Sequence, residues 1–238
     1  MEATPTSPAV PELAASARPA LLLAARGFSA TFWSLAATVL LMTGAVTVRP
    51  FATLRIPAHL LSVAMLGWAA VAFWRSRSLS PRWRWLARQF AFAVVLQLYM
   101  VPFLGWWRTI PHPVYHLANA VLLALGILWL ILLVHLLSME MARMTGDQVL
   151  RAEAHISLGV TPVLLGVAGA LFLLGAAWTA RHTGAHATAI LGSSVFWQPP
   201  WSLLPASLPF LMALALAWES KDRCLRALVT MQERSERS

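Results

Sequence analysis

Charged residues are grouped along the chain, and between the groups lie six charge-free intervals, 27 to 48, 56 to 74, 89 to 107, 109 to 139, 154 to 180 and 182 to 218. A helix rises about 1.5 Å per residue and needs about 17 to 25 residues to cross a bilayer, so each interval is long enough for one crossing. The pattern predicts an all-α polytopic membrane protein, a bundle of about six transmembrane helices over 27–219. A flexible cytoplasmic tail at 1–26 precedes it and a basic cytoplasmic tail at 220–238 follows. The opening tail lacks the basic start and long apolar core of a secretory signal, since its apolar run is only Ala20 to Ala25, and it is expected to be retained.

Local punctuation refines the helix ends. Thr145, Gly146, Asp147 and Gln148 fit a capping box that opens the fifth helix, with Asp147 and Arg151 spaced as an i,i+4 pair. Pro113 suits the first position of the fourth helix, where its missing N–H costs nothing. Pro102, Pro162, Pro205 and Pro209 lie in or near spans and are candidate kinks. Gly159, Gly166 and Ala170 give the fifth helix a face that another helix can approach closely. Gln97, Tyr99 and Asn119 are uncharged polar groups in the third and fourth spans, expected to bond neighbouring helices; they are also the visible candidates for a transporter's polar path. No internal repeat supports an inverted-repeat carrier.

Composition agrees with the intervals, because 59% of residues are hydrophobic and 11% charged, where a soluble domain carries about 25% charge. The net charge of +9 is mainly a topology signal. With both termini cytoplasmic, only Arg49, Arg55, Arg108 and Arg181 of the 18 basic residues fall outside, which satisfies the positive-inside rule. Arg75 to Arg88 holds five arginines with Trp83 and Trp85 between them, a composition suited to anionic headgroups and not to a nucleic-acid partner. Seventeen Arg against one Lys, with abundant Ala, points to a GC-rich genome and a bacterial inner membrane. The single Cys224 allows no disulfide framework or thiolate metal site and reads as an incidental interfacial residue among Lys221, Arg223 and Arg226.

The same topology separates acids from bases. All nine carboxylates fall on the cytoplasmic side, so the outer face lacks paired acids for acid–base work and ligands for hard cations. It carries instead His59, His112, His116, His182 and His186, with Arg49, Arg55, Arg108, Arg181, Trp106, Trp107, Trp197 and Trp201. His112 with His116, and His182 with His186, are H-x-x-x-H pairs whose spacing suits zinc, copper or nickel. Arginines free of carboxylates suit propionates or phosphates, and imidazole ligates haem iron, so His59, His116, Arg108, Arg181 and Trp107 form a candidate haem site. The competing explanation is an interfacial belt, where Trp and His are common in any membrane protein.

Three resemblances bear on this face. Gly105, Trp106 and Trp107, with His59 and His182 in comparable loops, resemble the haem-handling membrane proteins of cytochrome c maturation, which implies outward haem binding. His116 and His135 on one helix, with His59 and His155 opposite, resemble the axial pairs of a membrane cytochrome b. At about 1.5 Å per residue, however, the 19 residues between His116 and His135 separate them by about 28 Å, towards opposite ends of the span. His112, Pro113 and Tyr115 resemble the R-H-P-x-Y signature of isoprenylcysteine and phospholipid methyltransferases, with Pro111 where that signature has arginine; a proline-marked helix start explains the segment better. The readings left open are a cofactor-handling or electron-transfer subunit, an assembly subunit of a membrane complex, and a small-molecule transporter. No motif names a reaction.

Overall fold

Helices account for nearly all the described residues of the computed structural model, which are 17–42, 59–109, 114–183 and 204–237. In chain order they are α1 (Arg18–Met42), α2 (His59–Arg75), α3 (Pro81–Thr109), α4 (Val114–Thr145), α5 (Gln148–Thr183) and α6 (Leu204–Arg237). Four are long and apolar enough to cross a membrane, over Arg18–Leu40, Pro81–Pro102, Val121–Thr145 and Gln148–Gly175; Leu60–Arg75 is apolar but shorter. Each helix thus grows from one charge-free interval, and every one runs past it, α2 by a single residue. α1 begins at Arg18, so Leu21, Ala24 and Ala25 are core residues and not tail, and α6 continues unbroken through the basic segment. Charge ends a hydrophobic interval without ending a helix, since Arg and Lys are good helix formers.

Successive helices pack on one another, and α6 returns against α1, α4 and α5. Cross-helix contacts give the directions. Arg18 reaches Gln232 at 2.8 Å while Phe32 meets Trp218 at 5.1 Å between ring centroids, so α1 and α6 are antiparallel. Two-residue and five-residue connections force α4–α5 and α2–α3 to reverse in the same way. The core lies towards the end that holds these two short turns. Phe28, Phe73, Trp83 and Phe90 are all fully buried there and meet edge to face, with centroid separations of 5.1 to 6.0 Å. Trp83 is therefore a core residue and not part of an interfacial pair with Trp85. Its indole Nε1 donates to Ser76 Oγ at 3.0 Å, which meets the one polar demand of a buried tryptophan.

Two helix starts are tied to neighbouring helices through their caps. Ser80 Oγ accepts from Trp83 N at 2.9 Å, capping α3, and donates to Glu140 Oε1 of α4 at 2.7 Å. At the second turn the capping residue is Asp147, two positions beyond the expected Thr145. Asp147 Oδ1 accepts from Leu150 N at 3.0 Å, whereas Thr145 ends α4 and donates back to Met141 O at 3.0 Å. Gly146 stands between them at φ 71°, the left-handed conformation that closes a helix and that glycine adopts without penalty. The expected Asp147–Arg151 pair is replaced by a tertiary one, Arg223 of α6 at 2.8 Å.

Gly27 lets α1 meet α2 closely, because a Cβ there would stand 2.5 Å from Phe73 Cε1. Gly27→Ala is expected to displace that ring and cost about 1–3 kcal/mol in reversible unfolding from mixed micelles. Asp147→Ala, which loses both cap and ion pair, is expected to cost about 1–2 kcal/mol in the same assay, and Asp147→Asn, which keeps a cap, distinctly less.

Candidate functional site

The antiparallel order carries His59 at the start of α2, Trp107 and Arg108 at the end of α3, and His116 in the first turn of α4 to one end of three successively packed helices. Arg181 and His182 lie in the last turn of α5, with Arg181 exposed. The side chains of His59, Trp107, Arg108, His116 and His182 lie outside the described ones, as do His112, Pro113 and His186 altogether. Among the described residues no three His, Cys, Asp or Glu side chains converge as a metal would require.

Polar groups inside the bundle mostly bind one helix to the next. Gln97 of α3 donates its Nε2 to Leu123 O of α4 at 3.2 Å, and Gly126 leaves the room for it: a Cβ there would stand against that amide nitrogen. Ser34 of α1 donates to Ser62 O of α2 at 2.6 Å. His135 of α4 is fully buried, with Nδ1 2.6 Å from Ile131 O and Nε2 3.3 Å from Thr161 Oγ1 of α5. These bonds make His135 a link between α4 and α5, facing neither His59 nor His155 in any described contact. Tyr99 points outward, 61% exposed, so it lines no interior path. The hydroxyls of Ser138 on α4 and Ser220 on α6 are buried without a hydrogen-bond partner among the described residues.

One cavity lies among α1, α2, α3, α4 and α6, with Thr38, Ser62 and Gln97 as its polar lining and Leu66, Leu130 and Phe210 among its apolar walls. At about 40 Å³ it holds about two or three waters. Small-molecule pockets are roughly 300–1,000 Å³, so an organic cofactor does not fit there.

The end with the short turns forms a charged collar. Glu140 is buried, yet its carboxylate takes Arg143 in two-pronged fashion at 2.7 and 3.1 Å, Ser80 at 2.7 Å, and Arg82 at 3.8 Å. Arg223 bridges Asp147 and Glu219, each at 2.8 Å. Arg75, Arg77, Arg82, Arg84 and Arg88 are all exposed. Arg77 and Arg88 lie 5.5 and 5.9 Å from the ring of Trp74, which takes the aromatic place expected for Trp83. Behind this collar Cys224 is fully buried in the core, not interfacial, and burial pushes its thiol well above the ordinary range.

Of the four long apolar stretches, that of α5 is the least buried. Only 6% of its apolar stretch is buried, against 50% in those of α1 and α4. Leu150, Ala154, Ser157 and Thr161 face inward, while Ile156, Val163, Leu173 and Leu174 each stand more than 60% exposed. The spacing of Gly159, Gly166 and Ala170 made a close-packing face legible, but not that it points away from the other described helices.

Comparison with protein-family models, curated proteins and solved structures found no match to this chain. Cys224 is expected to resist maleimide at pH 8 in the folded protein and to react after unfolding in SDS; rapid labelling of the folded chain is the contrary result.

Proposed function

We propose that this chain is a structural or assembly subunit of a membrane complex, with six spans and both termini in the cytoplasm of a bacterial inner membrane. It acts through contacts its helices make in the bilayer. The observation that carries this reading is α5, which is held to the bundle by one edge while its broad apolar side is open. Most interior polar groups already serve helix-to-helix bonds, and the interior cavity has room only for water. The basic collar with Trp74 and Trp85 suits the anionic cytoplasmic leaflet and sets the depth of the bundle.

A second reading rests on the outer end, where the packing order gathers His59, Trp107, Arg108 and His116. It makes the chain a haem- or metal-handling subunit, with His112, His182 and His186 as further ligands.

Extraction of the full chain from native membranes into nanodiscs separates the two. The assembly reading expects a particle larger than one chain, without a Soret band or stoichiometric metal, and unchanged in size when His112, His116, His182 and His186 are replaced by Ala. A Soret band or bound metal lost with those replacements establishes the second reading instead.

A further inference from the structure

The turn from α2 to α3 collects positive charge that the described part of the chain does not neutralise. Glu140 pairs with Arg143 and Arg82, Asp147 and Glu219 with Arg223, and Asp222 with Arg226. Arg75, Arg77, Arg84 and Arg88 are exposed and pair with no described carboxylate. Two of them converge on one ring, the guanidinium of Arg77 lying 5.5 Å and that of Arg88 5.9 Å from the centroid of Trp74. Arg84 stands one turn before Arg88 on the same face of α3, and like charges at that spacing repel.

Backbone bonds keep these groups together. Ser76 N donates to Ala72 O at 3.1 Å, Arg77 N to Trp74 O at 3.3 Å, and Leu79 N to Ser76 O at 3.1 Å, while Trp83 Nε1 donates to Ser76 Oγ from the core. Arg77 is thus folded back beside the indole of α2, and Arg88 reaches the same ring from α3. A site formed before its ligand arrives loses less freedom on binding it. Leading away from the turn, Val71 and Trp68 along α2 and Phe92 and Val95 along α3 are exposed and apolar. Cations at one end with apolar surface running away from them complement an anionic phospholipid, whose phosphate and acyl chains are joined in that order.

We infer that Arg77, Arg88 and Trp74 hold the phosphodiester of an anionic phospholipid, with its acyl chains along Val71 and Phe92. This rests on the reading that the collar lies at headgroup depth, and it turns a general attraction to the leaflet into one site. Each guanidinium offers paired N–H donors to phosphate oxygens, a charge-assisted contact stronger than one between neutral groups. An anion bound by both Arg77 and Arg88 offsets their mutual repulsion. A zwitterionic lipid gains less, because its ammonium would stand among arginines with no carboxylate to receive it. Free phosphate gains the charge contact but not the apolar one.

The test is native mass spectrometry of the full chain in neutral detergent, with dioleoylphosphatidylglycerol or dioleoylphosphatidylcholine added at equal concentration. Retained phosphatidylglycerol is expected at least about fivefold above phosphatidylcholine. Arg77→Gln with Arg88→Gln should cut it at least about fivefold, and Trp74→Leu by less. Arg18→Gln with Arg226→Gln removes the same charge from residues already bound to Gln232 and Asp222, and should change retention less than about twofold. Protection of Cys224 from maleimide shows that each variant keeps its fold. Equal losses in the two double variants mean diffuse attraction, and equal retention of the two lipids means no headgroup selection; either overturns the site. Displacement of the lipid by millimolar inorganic phosphate overturns it as well, since the arginines then take a free anion. The cytoplasmic placement of the collar is tested separately, by labelling Ser78→Cys in a Cys224→Ser background with an impermeant maleimide. Labelling is expected in inside-out vesicles; labelling only from the outer side of intact cells overturns that placement and leaves the lipid site standing.

Discussion

Lipid tails are as apolar as leucine, so exclusion of water supplies little force to bring one transmembrane helix against another. Close packing and a few well-placed polar bonds must do it, and the arrangement of this bundle follows from that constraint. Phe28, Phe73, Trp83 and Phe90 interlock where Gly27 lets α1 approach α2. Ser76 serves the indole of Trp83, Ser34 reaches across to α2, Gln97 across to α4, and Thr161 across to His135. The last three cross between helices that hydrophobicity alone would leave free to slide.

At the charged end the constraint changes, because water is available and ions are affordable. There the chain ties its two short turns with side chains that do double duty. Ser80 both caps α3 and binds Glu140, and Asp147 both caps α5 and binds Arg223. An N-cap is a local device, but here the local and tertiary bonds use the same residue, so the starts of α3 and α5 are set by α4 and α6. Around them Arg75, Arg77, Arg82, Arg84 and Arg88 stay exposed.

α5 stands apart from this economy. Its inward edge is anchored through Leu150, Ala154, Ser157 and Thr161, and beyond its first two turns Val163, Val167, Leu173 and Leu174 make an open apolar face. Small residues on an outward face leave backbone exposed without gaining contact, unless a helix from outside the chain supplies it.

Much of this was legible in the amino-acid order. Charge-free intervals locate helices because charge is costly in hydrocarbon, and the excess of arginine at one end carries the expected orientation. The expectation that Gln97 bonds a neighbouring helix holds, since a buried amide must be paired. Helix ends were less legible. α1 starts at Arg18 and the cap lies at Asp147, because both are settled by Leu21 and Arg223 contacts with distant segments. Trp83 and Trp85 are alike in sequence, yet one is core and the other surface; which side of a helix faces in is decided by its neighbours. The grouping of the histidines expected on the outer face rests on the sequence alone, since their side chains lie outside the described ones. By itself the sequence determined the solvent, the helices and the charge asymmetry, all of which depend on transfer of single residues between water and lipid. The tertiary structure decided which faces meet, which caps are shared and which helix is left open, because those depend on the shape of the other helices.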